Sequence, residues 1–222
     1  FKTNIDYDNY QGTGCTSFCQ QGTAVSIGCI GSTDICGTHP DYAPLMALYN
    51  SANGPGWTNK SGWVDGAAGT NCDPCNGWYG VTCTNGRVSC LDLDGNPDCQ
   101  GFCSHNGNNL NGVIPNEIQY LDNLTNLHLG RNMGLTGSIP TSLGNLTNLT
   151  YLSINCSGIS GSIPNELTNL TSLDIFWLHH NPNLTGPIPS DIGNMLELNE
   201  IAFNDCNLTG IIPASLGNLG GT

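Results

Sequence analysis

Two pairs of side chains in this sequence have the composition of metal sites. Cys72 and Cys75 are separated by two residues, which is a spacing of zinc ligands. His179 and His180 are adjacent imidazoles. In a cysteine-rich chain the cysteine pair more often forms disulfides, and adjacent residues of a strand point to opposite faces of the sheet. We therefore expect no metal ion at either pair.

A pair of acids could transfer protons. Asp92 and Asp94 have the composition of the paired carboxylates of glycosidases, but two acids on a short strand are also ordinary solvated positions. The sequence has no Gly-x-Ser-x-Gly motif, no Gly-x4-Gly-Lys phosphate loop and no dinucleotide-binding fingerprint. We therefore predict that the chain is not an enzyme and binds no cofactor.

Eight Asn-x-Ser/Thr sequences could accept N-linked glycans. Six of them read Asn-Leu-Thr, a triplet that the repeat described below partly dictates. Asn148 would compete with Asn145 for space, and Asn155 would carry its sugar on a strand face. We expect glycans first at Asn59, Asn123, Asn145, Asn169 and Asn183. The complete set is Asn59, Asn123, Asn145, Asn148, Asn155, Asn169, Asn183 and Asn207.

Composition excludes several classes of partner. The net charge is −13, with only four Lys and Arg residues in 222, whereas nucleic acids and anionic membranes are bound by clustered basic side chains. Ten of the twelve cysteines precede residue 104, which favours an oxidising compartment and disulfides near the N-terminus. No apolar run approaches the ~20 residues that span a bilayer. We therefore expect a secreted, extracellular chain.

A Gly-x-Ile-Pro motif recurs five times at intervals of 25, 24, 25 and 24 residues. Its glycines are Gly112, Gly137, Gly161, Gly186 and Gly210. Between the motifs, apolar residues alternate over a few positions in each unit, which is the period of a short strand with one buried face. These alternating pieces are Leu127-x-Leu129, Leu152-x-Ile154, Phe176-x-Leu178 and Ile201-x-Phe203.

One such unit cannot bury its own leucines, so successive units must stack, with strands ~4.8 Å apart in a parallel sheet. Asn96, Asn132 and Asn181 recur after the strands and are predicted to point inward, where they would pair backbone groups left open by the turn. Ser157 and Cys206 take that place in two coils and are poorer partners.

The repeat L-x-x-L-x-L-x-x-N-x-L-T-G-x-I-P over residues 87–222 resembles the plant-type leucine-rich repeat of receptor ectodomains and polygalacturonase-inhibiting proteins. The repeat sequence resembles secreted repeat proteins of algae and other protists more than land-plant receptors. The resemblance implies an α/β solenoid, a right-handed superhelix of about five coils with short parallel β-strands on its concave face. Residues 41–86 resemble the family's disulfide-rich N-terminal cap, in which Cys75 and Cys83 would be bonded. Residues 1–40 remain a cysteine-rich arm without an assigned structure.

The cap is predicted to contain a helix over residues 41–53, with Asp41 as its N-cap and Asn53-Gly54 as its end. Its apolar side chains would cover the first coil. We expect three tryptophans to pack beneath this helix as core residues, namely Trp57, Trp63 and Trp78.

The other cysteines divide into two groups. Disulfides are expected among those near the N-terminus, but their connectivity does not follow from sequence; Cys99 and Cys103 could pair with each other or reach Cys72 or Cys90. Cys156 and Cys206 lie two coils apart, ~9–10 Å, beyond the ~7 Å that a disulfide tolerates. We predict both as thiols, with Cys206 buried. The arm contains Cys15, Cys19, Cys29 and Cys36.

Alternation also predicts which side chains face solvent on the concave sheet. A core tryptophan would not alternate with Phe176 and Leu178, so we expect Trp177 to be exposed beside Tyr151. The alternative is that Trp177 packs against Tyr151 and the N-terminal arm. Exposed aromatic side chains on a rigid surface are typical anchors for a partner. The expected contact residues are His128, Arg131, Tyr151, Ser153, Trp177, His179, Glu200 and Asn204.

Three functions fit such a solenoid. The leading hypothesis is recognition of an extracellular protein or peptide on the concave sheet. The second is a structural subunit of a filament or cell-surface layer that assembles head to tail, because an array without a closing cap exposes apolar surface and strand edges. The third is ice binding by a threonine-rich side, although six of the ten threonines of residues 87–222 lie in sequons. Polygalacturonase inhibition fits less well, because the predicted face is acidic to neutral.

Overall fold

A computed structural model describes residues 39–63, 72–95 and 107–219 of the chain. All of these residues belong to the larger of its two compact units, Thr33–Thr222. The expectations for most of the N-terminal arm and for an inward Asn96 lie outside the described residues. The same is true of six cysteines, namely Cys15, Cys19, Cys29, Cys36, Cys99 and Cys103.

The described chain contains a helix, α1 Tyr42–Ser51, followed by short strands. The strands are β1 Val81–Thr84, β2 Arg87–Asp92, β3 Asn111–Val113, β4 Asn126–His128, β5 Gly134–Ser138, β6 Tyr151–Ser153, β7 Gly158–Ser162, β8 Ile175–Trp177, β9 Leu184–Gly186, β10 Glu200–Ala202 and β11 Asn207–Leu208. No helix among the described residues is long and apolar enough to span a membrane.

The first sheet has the strand order β1-β2-β4-β6-β8-β10. Strands β1 and β2 are antiparallel, and each later coil adds one strand in parallel. The register keeps equivalent repeat positions opposite one another, because Leu127, Leu152, Phe176 and Ile201 are successive partners. This is the solenoid that the repeat predicted.

A second parallel sheet, with the order β11-β9-β7-β5-β3, was not predicted from the sequence. Each of its strands belongs to the same coil as one first-sheet strand. Leucines of both sheets, such as Leu127 and Leu135, are members of one buried cluster. Each coil therefore contributes one strand to each sheet, and the core lies between them.

The Gly-x-Ile-Pro motif ends the second-sheet strand of its coil and begins a 3-10 helix. In four coils its glycine has a φ between 76° and 85°, a conformation that other residues seldom adopt. Its proline cannot donate a hydrogen bond, but in all five coils the proline carbonyl accepts one from the residue three positions later. The 3-10 helices are Asn116–Tyr120, Thr141–Asn145, Asn165–Asn169, Ile192–Asn194 and Ala214–Asn218.

The inward row of the repeat is continuous. Leu129, Ile154 and Leu178 are fully buried, and the chain continues the row with Phe203, whose ring meets Phe176 edge-on at 5.1 Å between centroids. Phe203 is only half-buried because the described chain places no further coil over it. The stacking of coils is confirmed.

Inward asparagines join neighbouring coils. Asn181 is fully buried; its Oδ1 accepts from the N–H of Ser157 at 3.0 Å, and its Nδ2 donates to the carbonyls of Ile154 and Leu178 at 2.8 and 2.7 Å. Asn132 makes the equivalent bonds two coils earlier. These bonds satisfy backbone groups that burial would otherwise leave unpaired.

The two coils without this asparagine are bonded more weakly, as expected. The hydroxyl of Ser157 donates to the carbonyl of Asn155 at 3.2 Å. The sulfur of Cys206 donates to the carbonyl of Leu178 at 3.2 Å, and thiols are weaker donors than amides. Neither side chain reproduces the three bonds of Asn181.

The cap helix occupies the predicted region, but Asp41 does not have the predicted role. Asp41 stands at the N-cap position without a side-chain capping bond. Its fully buried carboxylate instead accepts from the guanidinium of Arg87 at 2.8–3.1 Å and from the N–H of Val88 at 2.7 Å. Asp41 therefore connects the cap to β2. A buried carboxylate without a cation and hydrogen-bond donors costs more free energy than a helix N-terminus without a side-chain capping bond.

The three cap tryptophans form the predicted core. Trp57, Trp63 and Trp78 are 2–3% exposed. Trp63 lies between the other two, with ring centroids 4.9 Å from each. Its indole N–H donates to the carbonyl of Tyr79 at 2.9 Å, which satisfies the polar atom of a buried ring.

The disulfide that the resemblance implied, Cys75–Cys83, is present. Cys72 is also disulfide-bonded. Cys90, which we expected among the bonded cysteines, is a thiol; it lies within β2, where its partners in the two neighbouring strands are Thr82 and Asn126.

The prediction that Cys156 and Cys206 are both thiols is correct only for Cys206. Cys156 is disulfide-bonded and buried, whereas we predicted a thiol. Cys206 is a thiol, so the two are not joined, as their separation by two coils required. Cys206 is half-buried rather than buried, because it belongs to the last described coil.

Candidate functional site

The side chains that leave the first sheet away from the core form two rows, together called the front face. Strand register defines both rows. The first contains Asn126, Tyr151, Ile175 and Glu200, and the second contains Asp92, His128, Ser153, Trp177 and Ala202.

Four rings on the front face form a row in which each ring contacts the next. The aromatic row consists of His128, Tyr151, Trp177 and His179. The imidazole of His128 stacks on Tyr151 with 4.2 Å between centroids, and Trp177 meets Tyr151 edge-on at 5.4 Å. His179 follows Trp177 at 6.1 Å. Stacked and edge-on pairs at these distances are favourable, so the row is a rigid surface.

Each coil leaves the first sheet through a residue in the left-handed conformation. Arg131, Cys156, His180 and Asp205 have φ between 51° and 61° and are spaced by 25, 24 and 25 residues. The backbone N–H of Arg131 donates to the next coil at 2.7 Å, and those of Cys156 and His180 do so at 2.9 Å. None is glycine, so each conformation carries a steric cost of about 1–2 kcal/mol. Aspartate and histidine are enriched in this conformation but arginine and cysteine are not, so the four positions share no residue type that would mark them in the sequence.

This turn brings His179 and His180 together. Their Nδ1 atoms are 3.2 Å apart, whereas strand alternation had placed the rings on opposite faces. The φ of 57° at His180 ends the alternation one residue earlier than the sequence pattern predicted. Nδ1 of His180 also lies 3.1 Å from Oδ2 of Asp205.

A buried polar chain supports the aromatic row. The hydroxyl of Ser153 donates to Oδ1 of Asn155 at 2.7 Å. Nδ2 of Asn155 lies 3.1 Å from Nε2 of His179. Because Ser153 and Asn155 are 3–4% exposed, these bonds fix the imidazole of His179 in one orientation.

The expected contact residues differ in accessibility. Trp177 is half-buried rather than exposed, because Tyr151 covers one edge of its ring. Tyr151 is also half-buried, whereas Glu200 and Asn204 are exposed. Four of the expected contact residues are buried, which corrects the prediction that they face solvent: His128, Arg131, Ser153 and His179.

Arg131 is the unusual member of this set. Its side chain is 4% exposed, and Nη1 has no hydrogen-bond partner within the described part of the chain. It lines a cavity of about 10 Å³, which is room for a single water molecule. The cavity wall is formed by Asp94, His128, Arg131, Tyr151, Ser153, Asn155 and Trp177.

Three ionisable groups on this side of the first sheet have shifted pKa values. Burial, and then the neighbouring carboxylate of Asp94, raise the pKa of Asp92 to about 6. Asp92 is half-buried, so it is not the solvated strand position that we expected. Burial lowers the pKa of His128, although Asp94 opposes the shift. Burial also lowers the pKa of His179, and His180 adds to that shift.

The acceptor asparagines of the sequons differ in solvent exposure. Asn155 is buried, and its Nδ2 lies 3.1 Å from Nε2 of His179, so a glycan on this atom would require both the burial and this contact to be lost. Asn59 is half-buried. The remaining six acceptors are exposed, namely Asn123, Asn145, Asn148, Asn169, Asn183 and Asn207.

One cluster in the cap brings metal-binding residue types together. Ligand atoms of His39, Asp73 and Cys75 lie within 4.8 Å of one another. The sulfur of Cys75 is bonded to Cys83, so it is not a thiolate ligand. The zinc-like spacing of Cys72 and Cys75 therefore serves disulfides.

Known proteins share the repeat. The family model described as Leucine Rich Repeat matches residues 148–170 and 197–219. The DNA damage-repair/toleration protein DRT100 of Arabidopsis thaliana is 30% identical over 122 residues, which are 54% of this chain and 32% of that protein. The chain thus spans about a third of this curated relative.

Solved structures share the fold. A plant ice-binding protein has a TM-score of 0.65 at 26% identity, covering 82% of this chain and 53% of its own. The BIR3–SERK2 complex of Arabidopsis thaliana gives 0.65 at 28%, covering 80% and 88%. The ectodomain of the Arabidopsis thaliana membrane receptor kinase GASSHO1/SCHENGEN3, in complex with CASPARIAN STRIP INTEGRITY FACTOR 2, gives 0.55 at 30%, covering 79% and 22%. The chain is a leucine-rich-repeat solenoid with the fold of plant receptor ectodomains.

Proposed function

We propose that this chain is a secreted, glycosylated recognition module that binds an extracellular protein or peptide on its front face. The observation that carries the proposal is the aromatic row, in which half-buried Tyr151 and Trp177 are held by their neighbours. Aromatic anchors that are ordered before binding lose little conformational entropy on contact. Two solved relatives support it, since each was determined in complex with another molecule.

The exposed part of the front face defines the chemistry of the partner. Beyond Trp177 the surface continues with Glu200 and Asn204, both exposed, and with Asp205, whose side chain is 65% exposed. Carboxylates accept hydrogen bonds and attract cations, so the fitting partner presents an apolar group for Trp177 beside basic or donor groups. The net charge of −13 strengthens this preference.

Peptides selected from a displayed random library against the chain would test the proposal. For a peptide that binds the chain, the substitution Trp177→Ala in the chain should weaken binding about 30-fold. This corresponds to a hot spot of about 2 kcal/mol. The control is Tyr120→Ala, which removes a ring that is 61% exposed on a 3-10 helix away from the front face. Peptides that bind wild type and Trp177→Ala equally would exclude the front face as the site.

Secretion and glycosylation are tested separately. Expression through a secretory pathway should give a chain whose intact mass falls after enzymatic removal of N-glycans. Mapping should find sugar at exposed acceptors such as Asn123 and Asn169 and none at Asn155. Sugar at Asn155 would contradict the hydrogen bond of that side chain to His179.

A second candidate function is ice binding, which the fold of a plant ice-binding protein favours. The second sheet presents short hydroxyl side chains in neighbouring strands, among them exposed Thr136, Ser138, Ser162 and Thr185. Thr185 belongs to the sequon of Asn183, so a glycan there would hinder contact with a flat crystal face. Thermal hysteresis of the deglycosylated chain would support ice binding, and its absence there would exclude it.

A further inference from the structure

Arg131 carries a buried positive charge, and the described part of the chain supplies no ion-pair partner for it. Its side chain is 4% exposed, and Nη1 has no hydrogen-bond acceptor among the described residues. Arg131 also takes part in none of the ion pairs found there. A buried guanidinium without acceptors is costly, because it has lost the hydrogen bonds that water would make. An acceptor from another molecule would lower that cost.

The backbone of Arg131 is held by both neighbouring coils. Its N–H donates to the carbonyl of Asn155 at 2.7 Å, and its carbonyl accepts from the N–H of Gly107 at 2.9 Å. The side chain therefore starts from a fixed position. It forms part of the wall of the cavity of about 10 Å³ on the front face, which has room for a single oxygen atom.

A negative charge lies on the wall of the same cavity. Asp94 lines it together with His128, and the carboxylate of Asp94 acts to raise the pKa of that imidazole against the effect of burial. An oxygen atom in so small a cavity lies beside both Asp94 and Arg131. A carboxylate placed there would be repelled by Asp94, and an ammonium group would be repelled by Arg131. A hydroxyl group is neutral and both donates and accepts, so it suits both charges.

Aromatic rings provide contacts for the rest of such a ligand. Tyr151 and Trp177 also line the cavity, and their rings meet edge-on at 5.4 Å between centroids. Both side chains are half-buried, so the cavity lies close to the accessible surface of the front face. Carbon atoms next to a bound hydroxyl group would therefore pack against these rings.

We propose that this cavity is a subsite of the front face that receives one hydroxyl group of the partner, with Arg131 as donor and Asp94 as acceptor. In a protein or peptide this group belongs to a serine, threonine or tyrosine side chain. The subsite rests on the proposed function, because it names a chemical group of the same partner. It makes Arg131 a specificity-determining residue, since a site built to pair a hydroxyl group rejects analogues that lack it.

Titration with phenol, followed by the NMR signal of the Trp177 indole N–H, tests the subsite without a peptide. Phenol should shift this signal saturably at millimolar concentration. Anisole, whose oxygen carries a methyl group instead of a hydrogen, should bind more weakly by about tenfold or more. Benzoate and benzylammonium should also bind more weakly than phenol, because each brings a charge that one wall of the cavity repels.

Three results of this titration would overturn the subsite. They are absence of phenol binding, equal binding of phenol and anisole, and tighter binding of benzoate or benzylammonium than of phenol. Glucose provides a further comparison, because sugars also carry hydroxyl groups beside apolar carbon atoms. Tighter binding of glucose than of phenol would contradict the assignment to a protein side chain.

A variant tests the role of the guanidinium. Arg131→Met keeps a long side chain but removes the donor, so the affinity for phenol should fall to that for anisole. The matched control is Lys60→Met, which removes a cation of the cap whose Nζ donates to the carbonyl of Pro55, and it should leave the affinity unchanged. Equal phenol affinity in Arg131→Met and wild type would contradict the assignment. Should Arg131→Met fail to fold, the ligand series in the wild-type chain still decides.

Selected peptides separate failure of the subsite from failure of the proposed function. In a peptide that binds through Trp177, replacing serine by alanine, threonine by valine or tyrosine by phenylalanine should weaken binding about tenfold at one position. The same replacement should have little effect on binding to Arg131→Met. No effect at any position would overturn the subsite and leave recognition on the front face standing. Phenol binding in a chain that selects no peptide would support the subsite and count against the proposed function.

Discussion

Trp177 donates its indole Nε1 hydrogen to Oε1 of Glu200 across 2.9 Å. The bond joins two successive coils on the front face, since Trp177 lies in β8 and Glu200 in β10. An exposed acid thus holds the largest ring of the aromatic row in place. The orientation of Trp177, which we propose as an anchor for a partner, therefore depends on a residue of the next coil.

Replacing Glu200 should loosen that ring. Glu200→Ala removes the acceptor, so acrylamide should quench more of the tryptophan fluorescence, while unfolding stability falls by only about 0.5–1.5 kcal/mol. Glu200→Gln keeps an acceptor and should resemble wild type. The control Glu197→Ala changes another exposed acid, which is not the acceptor of the Trp177 indole N–H. Equal quenching in Glu200→Ala and wild type would contradict this role.

Removing an inward asparagine should weaken the whole stack. Asn181→Ala leaves one buried N–H and two buried carbonyls without their side-chain partner, and each such loss costs about 1–3 kcal/mol. We expect unfolding in urea to show a loss of about 3 kcal/mol or more. Asn165→Ala, at an exposed position of a 3-10 helix, should change stability by less than about 0.5 kcal/mol. Similar losses in the two variants would count against the asparagine ladder.

The cap should depend on Arg87 far more than on its exposed partner. Arg87→Met would leave the carboxylate of Asp41 buried without a cation, a change that costs about 3–5 kcal/mol. Asp122→Asn removes only the other acid bound to Arg87, whose side chain is 67% exposed, and should cost at most about 1 kcal/mol. Thermal unfolding compares the two. A larger loss in Asp122→Asn would reverse this assignment.

Asp92 should make the chain less stable as pH rises. Its pKa is about 6 in the folded chain against 3.8 in the unfolded one, so between these values the folded state holds more protons. Stability from this group therefore falls as pH rises from about 4 to about 6 and stays low above that. Asp92→Asn should remove the fall and stabilise the chain at pH 7 but not at pH 3.5. Urea unfolding at the two pH values checks this; equal gains at both would refute the shift.

Periodicity in the sequence was enough to predict the solenoid, the register of the first sheet and the inward asparagines. Each follows from leucines that one unit cannot bury alone. The cap tryptophans and the Cys75–Cys83 bond were also predicted, the latter from family resemblance. The second sheet was not, because its strands alternate glycine, serine and leucine in a pattern with weak strand propensity.

The candidate site was predicted less well than the fold. Alternation placed Trp177 and Tyr151 on the correct face, but it could not show that the rings cover one another or that His128 and Arg131 are buried. The meeting of His179 with His180 was predicted wrongly, because the rule of opposite faces holds only while the strand continues. Backbone torsion at a strand end depends on bonds to the next coil, and these are not visible in a local pattern.

Two of the left-handed exits give this molecule an adaptable surface. Arg131, Cys156, His180 and Asp205 share one backbone geometry, but Arg131 and Cys156 are buried, whereas His180 and Asp205 are exposed. The backbone N–H of His180 bonds to the main chain of the next coil, so that bond does not depend on the side chain. A combinatorial library varied at such exposed exits, with residue types that tolerate the left-handed conformation, would give different surfaces on one scaffold.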